Sequence, residues 1–389
     1  MPANRANRPR GGVRPGSCTR GLLRSAFPWL AVCVLGIGSL ACGEGAPPLV
    51  DCLPKRGLSP DCRFQAPEDL AVVGRWLVVS QMPTSKAPGS LVAFHPETRR
   101  IRPLYPARAA ALATLPDASR PEDAGPVVRD DTADGGCAAG VPPPVSDFAP
   151  HGIDVLLTRL LVVNNGRREA IEEFEISAEG GVPVLTWKSC TPLPSDASAN
   201  DVVALSDGGF AATKMVERPQ WLGIAKLLLG LNTGALLRYS PSTRSWETVP
   251  NSEGKAPNGV EVEADGTFFI AEWTARRIVR IEPDGSDKQT IDLDFSPDNL
   301  AWSSRGQLLV AGQRLSVLDV ARCSAIEQGT CALPSVVVSI DPSMMTVFPL
   351  VEDDPATAVG AASIAVELGG DLWIGAFSGD RLVKRAGAR

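Results

Sequence analysis

Short apolar runs recur along the chain in pairs, and the two runs of each pair are joined by a turn that usually contains glycine. The segments "EDLAVVGRWLVVSQ" from Glu68, "NDVVALSDGGFAATK" from Asn200 and "NGVEVEADGTFFIAE" from Asn258 show this form clearly. Apolar runs separated by turn residues are typical of β-strands joined in hairpins. Three more segments follow the same form and bring the units to six: "HGIDVLLTRLLVVNN", "DNLAWSSRGQLLVAG" and "SIAVELGGDLWIGAF".

A third apolar run follows each hairpin, and most units add a fourth. Examples of third runs are "GSLVAFHP" in the first unit and "RLSVLDVA" in the fifth. Six antiparallel units of four strands predict an all-β protein with the fold of a six-bladed β-propeller. The last unit has three strands before Arg389, so residues near 45–64 are predicted to supply its fourth strand and close the ring.

Two insertions interrupt the repeated pattern. Residues 106–147 are rich in Ala, Pro and Asp, which predicts a surface loop or a disordered stretch. Residues 217–234, "ERPQWLGIAKLLLGLNTG", contain a helix-like apolar run that is expected to lie over one face of the propeller. This second insertion is either a structural cap or a wall of a substrate pocket, which Trp221 and Leu222 would line.

The N-terminus has the features of an export signal. Residues 1–25 are basic and contain no acidic residue, and the apolar stretch "AFPWLAVCVLGIGSLAC" then ends at Cys42. This stretch is short for a membrane span and suits the core of a secretory signal. The chain is therefore divided into a leader, residues 1–42, and a propeller, residues 43–389.

Cys42 allows two interpretations of this leader. The sequence "GSLAC" resembles a bacterial lipoprotein box, in which the cysteine is lipidated and tethers the mature protein to a membrane, although Ser39 stands where Leu is usual. The alternative is an ordinary signal cleaved near Ala41. Both predict export, as a periplasmic or outer-membrane lipoprotein of a bacterium or as a secreted protein. Mass spectrometry of the mature N-terminus distinguishes the two.

Six cysteines remain after the leader: Cys52, Cys62, Cys137, Cys190, Cys323 and Cys331. An even number of cysteines in an exported chain favours disulfide bonds, and their spacing lacks the C-x-x-C pairs of zinc sites. Six cysteines allow fifteen pairings. Among these we favour the bonds between neighbours in the sequence: Cys52–Cys62, Cys137–Cys190 and Cys323–Cys331.

Charge and motifs exclude some classes of function. The chain has 389 residues and a net charge of −6, with no basic cluster outside the leader, so we expect no binding of nucleic acid. No G-x-S-x-G motif indicates a nucleophilic serine, and no Cys–His pair indicates a nucleophilic thiol. We expect a monomer that acts on a small molecule.

Acidic, amide or imidazole side chains stand at the start of five units. They are Glu68 and Asp69, His151, Asn200 and Asp201, Asn258, and Asp298 and Asn299. If each begins the innermost strand of its blade, these side chains converge at one mouth of the central channel. A set of carboxylate and amide oxygens suits a hard cation, Ca²⁺ before Mg²⁺. The alternative is that each pair only caps a turn.

The motifs "EDLAVV", "PHGIDV", "LLVVNN", "NDVVAL", "PNGVEVEADGTFFIAE" and "DNLAW" are together similar to those of the paraoxonase (arylesterase and lactonase) family, within the broader gluconolactonase-like propellers. The resemblance extends from about residue 62 to residue 385 and includes the order and spacing of the motifs. It implies a six-bladed propeller with two calcium ions in the channel and an activity on lactones or aryl esters.

The resemblance also implies roles for single residues. The catalytic ion would be held by Glu68, Asn200, Asn258, Asp298 and Asn299. A deeper structural ion would be held by Asp69 and Asp201 with the backbone carbonyl of Ile153. His151 matches the histidine proposed as the general base of the family. His151, or a carboxylate beside the ion such as Glu68 or Asp298, would assist the attack of water.

One position departs from the family pattern. Family members carry a second histidine after "VVN", where this chain has Asn165, and its other histidine, His95, is distant from the motifs in the sequence. The family's disulfide to a C-terminal cysteine is also missing, since no cysteine follows Cys331. An ordinary channel-lining role for His151 is therefore the alternative to a catalytic one.

Three functions remain open from the sequence. The first is a calcium-dependent hydrolase of lactones or aryl esters, and the complete set of oxygen ligands favours it. The second is a binding or scaffold propeller that keeps calcium for stability, which the replacement by Asn165 favours. The third is a synthase or lyase of the broader propeller superfamily that uses no calcium.

Overall fold

A computed structural model of the protein describes residues 48–106, 137, 140–315, 317–353 and 356–387. The leader and most of the insertion at 106–147 lie outside these described residues, so their assignments stay predictions. Within the described part, the strands form six four-stranded sheets in which neighbours run antiparallel. The prediction of an all-β, six-bladed β-propeller is confirmed.

The strands are numbered in chain order. Blades 1 to 3 contain β2 (Pro67–Val73), β3 (Trp76–Gln81), β4 (Ser90–His95), β5 (Arg100–Tyr105), β6 (Pro150–Leu156), β7 (Arg159–Asn165), β8 (Glu169–Glu179), β9 (Val182–Pro192), β10 (Ala197–Ala204), β11 (Phe210–Glu217), β12 (Ala235–Ser240) and β13 (Ser245–Thr248). Blades 4 and 5 contain β14 (Pro257–Val262), β15 (Phe268–Glu272), β16 (Arg277–Ile281), β17 (Gln289–Asp292), β18 (Ser296–Trp302), β19 (Leu308–Gln313), β20 (Ser335–Asp341) and β21 (Thr346–Asp353). Blade 6 contains β22 (Ala362–Leu368), β23 (Asp371–Ala376), β24 (Leu382–Arg385) and β1 (Leu58–Asp61).

Hydrophobic side chains fill the space between adjacent blades. Strand β3 is buried at all of its positions, because both of its faces are covered. Its Leu77 and Val79 pack with Phe94 of blade 1 and with Trp373 and Leu382 of blade 6. The rings of Phe94 and Trp373 meet edge to face, with centroids 5.3 Å apart. Middle strands covered on two faces therefore appear in the sequence as nearly continuous apolar runs.

The N-terminal segment closes the ring, as the sequence predicts. Strand β1 pairs antiparallel with β24, so blade 6 is completed from the other end of the chain. Arg381 is fully buried beside this junction. Its guanidinium donates hydrogen bonds of 2.9 Å to the backbone carbonyls of Leu49 and Asp51. The closing segment is thus held by both strand pairing and a buried arginine.

Two short helices stand outside the blades. Helix α1 (Gln220–Leu228) confirms the helical character of the insertion at 217–234. Helix α2 (Val317–Cys323) shows that the strand predicted for "RLSVLDVA" is wrong. The third strand of blade 5 is β20 instead, whose run of adjacent valines suits a central strand better. No helix among the described residues is both long and apolar enough to cross a membrane.

Three disulfide bonds join the cysteines that follow the leader, as the sequence analysis favours. They link Cys52 to Cys62, Cys137 to Cys190 and Cys323 to Cys331. The first lies in the segment that closes the ring, and the third follows helix α2. Disulfide bonds are typical of proteins that fold in oxidising compartments.

We predict that a chain beginning at residue 43 contains no free thiol, because all six of its cysteines are paired. Thiol titration of the denatured, unreduced protein should read close to zero, and reduction should release six thiols per chain. Two or more reactive thiols before reduction would contradict this pairing.

Candidate active site

The first strands of the blades surround the central channel. Strands β2, β6, β10, β14, β18 and β22 each contact the first strand of the next blade, and the last contacts the first. In all six blades the register with the second strand shifts close to the polar positions. A β-bulge re-aims the side chains of the residues that it leaves out of the ladder. The polar residues of the sequence motifs therefore occupy a bulge at the same end of every innermost strand.

Glu68 is the fully buried acid around which several of these residues meet. The side-chain amide of Asn299 donates a 2.8 Å hydrogen bond to its Oε1. Nδ1 of His151 lies 3.3 Å from the same oxygen. The hydroxyl of Ser363, in the sixth blade, donates to the backbone carbonyl of Glu68 at 2.5 Å. Residues from blades 1, 2, 5 and 6 are thus brought together, as the sequence predicts for all of them except Ser363.

Four of the five residues predicted to hold the catalytic ion have a buried oxygen without a hydrogen-bond donor in the described part of the chain. These oxygens are Glu68 Oε2, Asn200 Oδ1, Asn258 Oδ1 and Asn299 Oδ1. Buried acceptors are nearly always paired in folded proteins, and an unpaired one costs about 1–3 kcal/mol. Four such oxygens at one mouth match the chemistry of a hard cation site.

Asp298, the fifth residue, is a buried carboxylate in an unfavourable environment for charge. Burial, and next the negative charge of Glu68, raise its pKa to about 7 from an ordinary value of 3.8. One of its oxygens, Oδ2, accepts a 2.6 Å hydrogen bond from the side-chain amide of Gln313, which opposes this rise. An added cation would remove the repulsion between the two carboxylates.

His151 is mostly buried, and its surroundings favour the charged imidazole. Burial, the largest single effect, lowers its pKa, but the nearby carboxylates of Glu68 and Asp298 together outweigh burial and raise the pKa above its usual value. Asn165, at the position of the family's second histidine, donates its amide hydrogen bond to the carbonyl of Ala199 at 3.1 Å. Glu68, not Asn165, is therefore the charged partner of His151 in this chain.

Asp69 and Asp201 use their carboxylates to bind backbone of the next blade. Asp69 accepts from the N–H of Ile153 at 2.6 Å, and Asp201 accepts from the N–H of Val260 at 2.8 Å. Gly152 makes this packing possible, because a Cβ there would lie 2.2 Å from Asp201 Oδ1. Burial, followed by the charge of a neighbouring acid, raises the pKa of both aspartates well above normal. Each of their carboxylate oxygens accepts one backbone N–H and keeps a second lone pair for a cation. The deeper ion itself stays a prediction.

Among the described residues, no group of three or more His, Cys, Asp or Glu side chains is placed to hold a metal ion. The mouth of the channel contributes two acids from the predicted set, Glu68 and Asp298, and its other candidate oxygens belong to asparagines. A metal bound there would depend on amide oxygens, which suit Ca²⁺ better than transition metals.

Sequence reasoning missed three residues that support the site. Gln313 contacts Asp298, Ser363 contacts the backbone of Glu68, and Thr213 contacts the backbone of Asn258 at 2.5 Å. Ser363 stands at the polar position of the sixth unit, so its place in the repeat could have revealed it. Gln313 and Thr213 lie in second strands, where no sequence signal distinguishes them from other residues.

An apolar cluster lies over the same mouth. Trp273 and Leu315 are buried there, and Met215, Leu227 and Phe377 pack against them. The cluster reaches the polar residues, since the Asn200 amide nitrogen lies 3.5 Å from the sulfur of Met215. Leu227 places helix α1 against this cluster. Leu227 of the second insertion packs against this cluster, whereas Trp221, which the sequence predicts to line a pocket, is 63% exposed. Whether the insertion is a cap or a wall of a substrate pocket stays a prediction.

Comparison with known proteins identifies the fold more firmly than the family. No protein-family model matches the chain. The chain is 33% identical over 147 residues to the protein strictosidine synthase-like 13 of Arabidopsis thaliana. That match covers 35% of this chain and 35% of the curated relative, so the chain spans about a third of that protein's length. It therefore leaves most of both proteins uncompared.

Solved structures that resemble the chain include propeller enzymes. A luciferin-regenerating enzyme has a TM-score of 0.51 at 12% identity, over 84% of this chain and 92% of that one. A gluconolactonase-like protein has a TM-score of 0.49 at 13% identity, over 85% and 92% of the two chains. Virginiamycin B lyase from Staphylococcus aureus has a TM-score of 0.47 at 12% identity, over 84% and 98%. At 12% identity the likeness to the luciferin-regenerating enzyme concerns the fold alone, and the paraoxonase resemblance stays a hypothesis based on the motifs.

We predict that Asp298 makes the metal-free protein less stable as the pH rises. Its pKa is about 7 in the folded protein against an ordinary 3.8. Its contribution to stability is therefore fully present below about pH 4 and is lost as the pH rises through 7. One pKa unit is worth about 1.4 kcal/mol, so the loss approaches about 4 kcal/mol.

Urea unfolding of metal-stripped protein between about pH 4 and pH 8 measures this loss. The Asp298→Asn variant should lose less stability over the same range, because its amide does not titrate. Acids that do not interact with Asp298 are present in both proteins and cancel in the difference, which therefore reports Asp298 together with its charged neighbours Glu68 and His151. Equal pH dependence in the two proteins would show that Asp298 titrates normally.

Proposed function

We propose that this protein is a calcium-dependent hydrolase of lactones or aryl esters. The ion would be held at the channel mouth by Glu68, Asn200, Asn258, Asp298 and Asn299. The observation that carries the proposal is the set of buried oxygens without donors on four of these residues. A turn cap, the alternative role of such pairs, would leave its oxygens bonded to backbone N–H groups.

The chemistry of the donor set supports calcium. The five residues offer two carboxylates and three amide oxygens, and Ca²⁺ takes six to eight oxygen ligands. Five protein side chains would therefore leave positions for water and for a substrate oxygen. A bound calcium ion would supply polarisation of the substrate carbonyl and stabilisation of the charge that develops on its oxygen.

The residues of the chain would provide the proton transfer. In this proposal His151 accepts a proton from the attacking water, and Glu68, 3.3 Å away, stabilises the imidazolium that results. Asp298 is the second possible proton acceptor, since it is buried at the same mouth. The apolar cluster around Trp273 and Leu315 would contact the substrate and limit the entry of bulk water.

Further parts of the proposal follow from the sequence. A second calcium ion would be held by Asp69, Asp201 and the carbonyl of Ile153, and would serve stability. Three disulfide bonds support an exported protein. Periplasmic or outer-membrane location, a lipid tether at Cys42 and a monomeric state belong to the same proposal.

A propeller synthase or lyase without calcium is the second candidate. The partial match to a strictosidine synthase-like protein favours it. A non-catalytic calcium-stabilised propeller is the third, and the amide of Asn165 at the second histidine position favours that one. Calcium binding without turnover would indicate the non-catalytic propeller, and turnover without calcium would indicate the synthase or lyase.

We predict that both activity and stability depend on calcium. An ion that binds the folded channel and not the unfolded chain stabilises by about 2.7 kcal/mol at 100 times its Kd. Chelation should therefore lower the melting temperature and abolish hydrolysis of a panel of lactones and aryl esters, and added calcium should restore both. If chelation changes neither quantity, the proposed function is wrong.

Asp298→Asn tests the same site more narrowly, and Asp154→Asn is its matched control. Asp298→Asn keeps an oxygen but removes one of two charges, so it should weaken calcium binding and reduce turnover. Asp154 also lies in an innermost strand, but its carboxylate accepts from the N–H groups of Val155 and Ala204, each at 2.7 Å. Its substitution should lower stability equally with and without calcium.

We also predict that His151→Gln lowers kcat at least about 100-fold, since a positioned general base contributes about that much or more. Calcium affinity should change much less than kcat, because the imidazole is not itself one of the proposed ligands and lies beside only one of them, Glu68. Steady-state kinetics and calcium titration of the same variant separate the two effects. An unchanged kcat in this variant would show that His151 is not the general base and would favour a carboxylate in that role.

A further inference from the structure

We propose that Gln313 is a positioning residue of the calcium site, which acts by fixing the carboxylate of Asp298. This inference rests on the proposed calcium site and extends it to a residue that the sequence motifs do not contain. Gln313 is the last residue of β19, the second strand of blade 5, and it is fully buried.

The contacts of Gln313 determine the orientation of its amide. Its Nε2 donates a 2.6 Å hydrogen bond to Oδ2 of Asp298 and a second one to the backbone carbonyl of Ala362. Both partners are acceptors, so the nitrogen must face them and the oxygen must face away. The amide therefore connects the carboxylate of blade 5 to the start of the innermost strand of blade 6.

This arrangement has a consequence for the ion. With Oδ2 of Asp298 held by an uncharged donor, the carboxylate cannot turn freely about its last bond. A ligand that is already oriented binds a cation more tightly than one that must be rearranged on binding.

The other atom of the amide argues against a purely local structural role. Oε1 of Gln313 is buried and has no donor in the described part of the chain. A glutamine kept only to satisfy nearby backbone would use both ends of its amide. Here its nitrogen contacts a proposed ion ligand, while its oxygen has no donor among the described residues.

Blade 1 offers a matched control at the end of its own second strand. Gln81 is the last residue of β3 and is also buried. Its Oε1 accepts from the N–H of Gln65 and its Nε2 donates to the hydroxyl of Ser90, both at 2.9 Å. Both ends of this amide are satisfied, and neither contacts a proposed ion ligand.

The test compares Gln313→Met with Gln81→Met, two substitutions of similar volume that remove the same amide. Each protein is stripped of metal, then titrated with calcium chloride in a calorimeter, and its melting temperature is recorded in chelator. Loss of a residue that orients a metal ligand typically weakens metal binding by about 10–100-fold. We expect that loss for Gln313→Met, and a change of less than about twofold for Gln81→Met.

The outcomes separate this inference from the proposed function. If the unmodified protein binds no calcium, the proposed function fails and the inference fails with it. If the unmodified protein binds calcium and Gln313→Met binds it equally well, only the inference is wrong. Equal loss of affinity in both variants would also overturn it, because the effect would then come from general destabilisation.

A second variant guards against misfolding of Gln313→Met. Gln313→Asn keeps the amide but shortens its arm by one methylene, so it cannot reach Asp298 and Ala362 as the glutamine does. It should show the same loss of calcium affinity with a smaller fall in the melting temperature in chelator. Full calcium affinity in Gln313→Asn would overturn the inference.

Discussion

The pairing of β1 with β24 is the interaction on which the rest of the structure depends. It joins the two ends of the chain in one sheet, and the fully buried Arg381 ties the preceding segment to the same blade. A closed ring gives the channel a fixed width, because each first strand is held between two neighbours. Without closure, side chains from blades 1 and 6, such as Glu68 and Ser363, would have no reason to meet.

Closure of the ring places polar groups in a narrow channel, and their hydrogen bonding differs between two levels of that channel. Deeper in the channel, carboxylates bind the free N–H groups of the next innermost strand, as Asp69 does with Ile153 and Asp154 does with Ala204. These bonds link successive blades and by themselves lower the pKa of each acid, but burial has the larger effect and raises it. At the mouth, Oε2 of Glu68 and the side-chain oxygens of the three asparagines have no donor among the described residues. The difference between the two levels is the physical basis for the cation site that we propose at the mouth.

The bulge in every first strand is the shared feature that orients polar side chains near the axis in all six blades. A regular strand would alternate its side chains between the two faces of the blade, and only some would reach the axis. The register shift allows two successive residues, such as Asp298 and Asn299, to be re-aimed near the axis end. Blade 6 uses the same bulge with Ser363, which supports Glu68 through its backbone.

The sequence by itself determined the number of blades and the closing strand, favoured the cysteine pairs that the structure shows, and indicated most of the polar residues at the mouth. These follow from local signals, since apolar runs, turns and their spacing are properties of short segments. The tertiary structure decided that Val317–Cys323 is a helix and that Gln313 serves Asp298. It also decided which oxygens are bonded and which lack donors. Those outcomes depend on atoms of strands far apart in the chain, whose contacts no local pattern records.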